Sequence, residues 1–160
     1  MKNNMNVVAI ATNEVPVGIN ALIINEKNQI LLGLRAGHRG GAGTWGLIGG
    51  KARTGEPIEH TCMREIKEEV GLTVKEENLQ VINIFTTQST PDYLFFQIGV
   101  LVRAYEGIPM NMEPDRCDEV RFFDLDKLPD NLFLGTKGNI DLFLSGEFYN
   151  KNVNYDYRNQ

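Results

Sequence analysis

The stretch from Glu56 to Gly71 constrains this chain most, because it joins a helical apolar period to a one-sided cluster of acids. At about 100° per residue, with Glu65 at the origin, Glu69 falls near +40° and Glu68 near −60°. Three carboxylates thus occupy roughly 100° of arc over one to two turns. Cys62, Met63, Ile66 and Val70 fall between about +60° and +160°, a stripe wide enough to face a core. His60 and Lys67 point to solvent. Pro57 suits a helix start and Gly71 a helix end. Like charges at this spacing repel. The acidic face therefore calls for a cation, and hard divalent ions such as Mg²⁺ or Mn²⁺ prefer carboxylate oxygens. Arg64 sits beside Glu65 and one turn before Glu68, where its guanidinium can hold a carboxylate by paired hydrogen bonds. Read from the helix alone, a solvated acidic surface is the other possibility.

The flanking segments predict strands. Val17 to Asn25 is apolar and isoleucine-rich, Asn25–Asn28 is a turn cluster, and Gln29 to Arg35 reads as the returning strand of a hairpin. Ala36 to Gly43 is a glycine-dense cationic loop. Thr44 to Ile48 reads as a short strand leading into Gly49–Gly50. Further strands are expected at Leu79–Thr87, Tyr93–Tyr105 and Glu119–Asp124, the second inside the sheet. A turn is expected at Asp126–Pro129, a helix at Lys137–Ser145, and a loose polar tail after Asn150. The order implies an α/β sandwich with a mixed sheet, in one domain over residues 1–160.

A net charge of −5 argues against broad binding of a nucleic-acid polymer, which needs a basic footprint. It leaves room for a small anionic substrate held through divalent ions. Cys62 and Cys117 are too few for a disulfide framework and read as reduced, inert thiols. Met1 to Asn6 are polar, without a signal-peptide core, and no apolar run is long enough to span a membrane. A cytoplasmic location is expected.

Gly50, five residues, Glu56, seven residues and then Arg64-Glu65-Ile66-Lys67-Glu68-Glu69-Val70-Gly71-Leu72 make a stretch of 23 residues. It resembles the Nudix box at every specified position. The resemblance implies a Nudix-type α/β/α sandwich and a metal-dependent hydrolase of diphosphate linkages, using Mg²⁺ or Mn²⁺. It implies that Glu65, Glu68, Glu69 and the Gly50 carbonyl are the metal ligands. Arg64 and Glu56 would be an ion pair supporting the ligand-bearing turn. A carboxylate takes the proton of the attacking water: Glu68 is the first choice, and Glu113 in Met112-Glu113-Pro114 is the distal candidate. A homodimer is expected from the family alone.

Trp45-Gly46-Leu47-Ile48-Gly49-Gly50 is similar to a segment of the nucleoside-triphosphate-cleaving members, with Ile48 where those have proline and Arg53 where they often have glutamate. Asn111–Cys117 and Phe122–Pro129 resemble the MutT-like pyrophosphohydrolases. Gly41-Ala42-Gly43 has a counterpart in the vertebrate triphosphate diphosphatases. Gln88 and Thr90 stand where the ADP-ribose and diadenosine-polyphosphate groups carry proline and tyrosine. The expected reaction is nucleoside triphosphate, canonical or oxidised, to monophosphate and pyrophosphate. ADP-ribose, dinucleoside polyphosphates and nucleotide sugars are the alternatives. A non-catalytic nucleotide sensor of the same fold is the alternative of another class, and the intact glutamates speak against it. Arg35 and Arg39 would meet phosphates, with Gly49 close to the ligand. Phe95, Phe96, Phe133 and Tyr93 are the aromatics available to stack on a base, each also a candidate for the core. Trp45 reads as a packing residue.

Overall fold

A computed structural model describes residues 15–90, 93–150 and 154–156, with the side chains of residues 89, 90, 93 and 154–156 outside the description. The elements run β1 (Val17–Ile23), β2 (Gln29–Arg35), β3 (Trp45–Lys51), α1 (Ile58–Val70), β4 (Leu79–Thr90), β5 (Tyr93–Val102), β6 (Cys117–Asp124), α2 (Leu134–Ser145) and β7 (Asn154–Asp156). The strands form one sheet in the order β6-β2-β3-β1-β5-β4-β7. It is mixed: β1–β5 and β4–β7 are parallel, and the other neighbours are antiparallel.

Side-chain alternation explains the two layers around the sheet. In β1, Ile19, Ala21 and Ile23 face one core cluster, which takes Cys62, Ile66 and Val70 from α1. Leu22 faces the other cluster, with Ile30, Leu32, Trp45, Leu125 and Ile140 of α2. A sheet apolar on both faces needs a helix on each, which is the α/β/α sandwich. The expected apolar stripe of α1 is the buried one, and Gly71 closes the helix in the left-handed region at φ 73°. His60 and Lys67 are exposed.

The hairpin expected between β1 and β2 forms only next to its turn. Ile24 and Ile30 make an isolated antiparallel bridge beyond the Asn25–Asn28 turn. Past that bridge β3 lies between the two strands, pairing through Trp45–Leu47 with β2 and through Ile48–Lys51 with β1. An apolar central strand must satisfy backbone groups on both edges, and β3 does this for β1 and β2 together. Other boundaries move by a few residues. β4 runs on to Thr90, β5 ends at Val102, β6 starts at Cys117, and α2 begins three residues before Lys137. In the tail, Asn154–Asp156 is a strand rather than loose chain, pairing parallel with Thr86–Gln88. The rest of the tail lies outside the described residues. Among the described residues no helix is long and apolar enough to cross a membrane.

Candidate active site

Arg64 organises the acidic face of α1. Its Nε and Nη2 donate to the two Glu56 oxygens at 2.8 and 3.0 Å, a bidentate pair. Its Nη1 donates to Glu65 Oε1 at 2.6 Å and to Glu68 Oε2 at 3.2 Å. Nη2 also reaches the Lys51 carbonyl at 3.4 Å, tying α1 to the end of β3. One guanidinium thus holds three carboxylates, which offsets their mutual repulsion. Thr61 Oγ1 and the Arg53 backbone N–H also donate to Glu56. These donors, Arg64 foremost, hold the Glu56 carboxyl down at about 2, and the same pairing raises Arg64 above its usual value.

Glu69 is held differently. The Gly49 backbone N–H donates to its Oε2 at 2.9 Å. Gly49 sits at φ 154° with the Ile19 carbonyl where a side chain would go, so only glycine presents this N–H here. Burial, opposed by the Gly49 bond and aided by the nearby charges of Glu65 and Glu113, pushes Glu69 up to about 7. Next along β3, Gly50 lies so close to the Glu65 carboxylate that a Cβ would collide with it. Glu113 reaches the same region because the Met112 N–H donates to the Glu69 carbonyl at 3.0 Å, pinning its loop on the end of α1. Arg116 lies 3.6 Å from Glu113. Glu69, Glu113, Arg39, Arg116 and Gly49 line a small cavity of about 60 Å³.

Beside it opens a cleft of about 550 Å³ over β1, β3, β4 and β5, under the segment leading into α2. Arg35, Arg39, Gly49 and Phe95, each expected at a substrate site, all line it, as do Lys51 and Phe133. The Arg35 guanidinium stacks 4.2 Å from the Phe133 ring centroid, and Lys51 Nζ lies 5.1 Å from that of Phe95. Burial, together with neighbouring Arg39, lowers Arg35 from its usual value. Phe133 packs against Gly41, where the left-handed φ of 73° and the ring itself leave no place for a side chain.

The expected residues therefore fall into two groups. Glu56, Arg64, Glu65 and Glu68 are gathered around the guanidinium, and Glu69 and Glu113 meet at the Gly49 end. Glu65 and Glu68 do not line either cavity, and Glu68 is half-exposed, with Arg53 3.9 Å from its other oxygen. Phe96 is exposed and away from the cleft. Trp45 is buried, edge-on to Phe123 with centroids 4.7 Å apart, and serves packing. Cys62 lies in the core, where burial pushes its thiol up to about 12. Sequence reasoning missed Asn20, Gln97, Thr87 and Thr136 in the cleft floor. The available signal was a polar residue inside an otherwise apolar strand, as at Asn20 in Ile19–Ile23 and Gln97 in Phe95–Val102.

The donor set suits a hard divalent cation. Glu65, Glu68, Glu69 and Glu113 offer carboxylate oxygens, and Gly50 lies against one of them. Among the described residues no three His, Cys, Asp or Glu side chains already form a closed metal cage. Mg²⁺ does not require one, since it keeps several waters and completes its shell with substrate phosphates.

Known proteins agree with this architecture. An oxidized purine nucleoside triphosphate hydrolase from Danio rerio is 38% identical over 117 residues, covering 68% of this chain and 66% of that protein. An ADP-ribose pyrophosphatase from Methanocaldococcus jannaschii is 31% identical over 118 residues, covering 67% of this chain and 61% of that protein. The chain thus spans just under two thirds of these curated relatives. The crystal structure of a MutT NUDIX hydrolase from Burkholderia pseudomallei is similar with a TM-score of 0.73 at 31% identity, covering 81% of this chain and 98% of that one. The NUDIX domain model matches residues 15–143, which take in both core clusters, the Arg64 clamp and the cleft, and the chain belongs to that family.

Proposed function

We propose that this chain hydrolyses a nucleoside triphosphate, canonical, oxidised or otherwise modified, to the monophosphate and pyrophosphate with the help of Mg²⁺ or Mn²⁺. The observation that carries this reading is a cationic, aromatic-flanked cleft ending at Gly49, where the acidic face of α1 begins. The 38% identical relative from Danio rerio, named for oxidised purine nucleoside triphosphates, supports the substrate class.

Glu65, Glu68 and Glu69, with the Gly50 carbonyl, are the groups assigned to hold the metal. Bound there, the cation supplies charge neutralisation at the pyrophosphoryl oxygens and a more acidic attacking water. Arg64 keeps Glu65 and Glu68 at fixed positions, and Glu56 fixes Arg64 in turn. Glu68 takes the proton of the attacking water, with Arg64 holding one of its oxygens and the side chain half-exposed. Glu113, next to Glu69, is the second candidate for that proton. Arg35, Arg39 and Lys51 meet the phosphates, and Phe95 and Phe133 flank the base. The leaving group is a phosphate, so no strong general acid is needed.

The 31% identical ADP-ribose pyrophosphatase favours one second reading, the diphosphate linkage of ADP-ribose, which uses the same groups. A panel of canonical and oxidised deoxynucleotides, ADP-ribose, dinucleoside polyphosphates and nucleotide sugars, each with and without Mg²⁺ and read by chromatography of the products, tests both: a triphosphate gives the monophosphate and pyrophosphate, whereas ADP-ribose gives AMP and ribose 5-phosphate. Metal-dependent pyrophosphate release from a triphosphate is expected. Turnover of ADP-ribose alone would select the second reading, and no turnover of any member would leave a nucleotide sensor. We place the protein in the cytoplasm on its two free thiols. Its acidic charge goes with a small nucleotide partner rather than a polymer. The homodimer carried over from the family is tested by light scattering on the eluting protein.

A further inference from the structure

The floor of the cleft is neutral, and its hydrogen bonds run in one direction. Asn20 Nδ2 donates to Gln97 Oε1 at 2.9 Å, and Gln97 Nε2 donates to Thr87 Oγ1 at 2.9 Å. Asn20 Nδ2 also reaches the Gly18 carbonyl at 3.4 Å. Both amide protons of Asn20 are therefore directed at the protein, and Oδ1 is the polar atom it has left for a ligand. Across the cleft, Thr136 Oγ1 accepts the Leu47 N–H at 2.8 Å, so its hydroxyl proton is available to donate. Asn20 and Thr136 both line the cleft, whereas no Asp or Glu does so among the described residues.

Gln97 is 7% exposed, with Gly18 and Gly135 against its amide. Turning the Gln97 amide over alone would set its N–H groups against Asn20 Nδ2 and leave two buried donors facing each other. Turning both amides over together would bring Asn20 Oδ1 against the Gly18 carbonyl, which now accepts from Nδ2 at 3.4 Å, so that carbonyl sets the sense of the relay.

Resting on the nucleotide reading above, we propose that Asn20 contacts the nucleobase as a hydrogen-bond acceptor and that Gln97, bonded to Thr87, is the positioning residue that keeps it one. The substrate class follows: a base that turns an N–H or NH₂ toward Asn20 and a carbonyl or ring nitrogen toward Thr136. With no carboxylate in the floor, the cleft reads a neutral edge.

The test uses nucleotide pairs that differ by one hydrogen-bond-donor group on the base: adenosine against purine riboside triphosphate and guanosine against inosine triphosphate by an amino group, and guanosine against 1-methylguanosine triphosphate by the N1–H. Ribose 5-triphosphate is the base-free control. The wild-type protein is expected to favour the N–H-bearing member of at least one pair by about ten-fold in kcat/KM, the size expected for one unsatisfied acceptor. Gln97→Leu frees the Asn20 amide and should reduce that preference to within about two-fold, through KM more than kcat. Turnover of ribose 5-triphosphate should stay as it was. Gln97→Glu, which still accepts from Asn20 and from the Thr87 hydroxyl, should restore the preference. Thr87→Val is the milder second variant should Gln97→Leu not fold, and it should weaken the preference. A wild-type ratio retained in Gln97→Leu or Thr87→Val, or equal use of both members of all three pairs by the wild-type protein, would overturn the proposal. Calorimetric binding of the same pairs separates it from the hydrolase reading. A binding preference that vanishes in Gln97→Leu while nothing is hydrolysed keeps the subsite and removes the enzyme.

Discussion

The acidic face of α1 and the floor of the cleft solve opposite problems. On α1, like charges are packed together and one guanidinium holds them, with hydrogen bonds of 2.6 to 3.2 Å from Arg64 to Glu56, Glu65 and Glu68. In the floor no side chain is charged, and orientation is carried by a chain of neutral amides and a hydroxyl. Charge can be supplied by residues close in sequence, whereas direction needs partners that surround a group. The first region is suited to binding a cation and moving a proton, the second to discriminating one neutral edge from another.

The largest effect expected from breaking this contrast is at Glu68. Glu68→Gln keeps the shape and removes the charge, and kcat should fall by about 10²- to 10⁴-fold, as for loss of a general base. Its thermal midpoint should stay near that of the wild-type protein, because the side chain is half-exposed. A rate near normal in steady-state assays would take Glu68 out of its role and move attention to Glu113.

Arg64→Lys sharpens the comparison next. A lysine keeps the charge but not the fork that reaches three carboxylates. Misplaced ligands should lower kcat/KM by about 10²-fold, and removing the cation with a chelator should then abolish the remaining turnover. An unchanged rate in Arg64→Lys would mean that charge alone, not geometry, organises the face.

Phe133→Leu addresses the cleft. It removes the ring that carries Arg35 and flanks the ligand. KM should rise by about ten-fold with kcat little changed, in keeping with the loss of one stacking contact. An equal effect on ribose 5-triphosphate would show that the ring acts through Arg35 rather than on the base.

The ion pair also leaves a signature in stability. The Glu56 carboxyl is held at about 2, below its ordinary value of 4.5, by Arg64. The folded state thus binds fewer protons there than the unfolded one, so the contribution is fully present above pH 4.5 and is lost as pH falls toward 2. Urea midpoints measured across that window should decline more steeply for the wild-type protein than for Glu56→Gln. Parallel curves would show that the pair contributes nothing net. The smallest effect belongs to Cys62, whose thiol stands at about 12 in the core. Iodoacetamide at pH 8 should leave it unmodified until the chain is unfolded, as read by peptide mass spectrometry.

The α1 helix was legible because its information is local. The 3.6-residue period, Gly71 and the spacing of Arg64 to Glu68 all lie within one element, so the apolar stripe and the acidic face follow from backbone geometry. The strands were legible as strands, though not as neighbours. The alternation in β1 and β2 says nothing of β3 passing between them, because backbone hydrogen bonds are blind to chain order. Glu113 was found as a candidate, yet its place beside Glu69 depends on the backbone bond from Met112 to Glu69.

By itself, then, the order of residues determined a helix with one oily and one acidic side, and a run of 23 residues shared with a family of metal-dependent hydrolases. The tertiary structure decided which glycine N–H meets Glu69, which cations share the cleft with Phe95 and Phe133, and that Asn20, Thr87 and Gln97 form one directed relay. The physical reason is range. A helix brings together residues three and four apart, whereas the relay joins residues 20, 87 and 97, which no local pattern places side by side until the sheet is assembled.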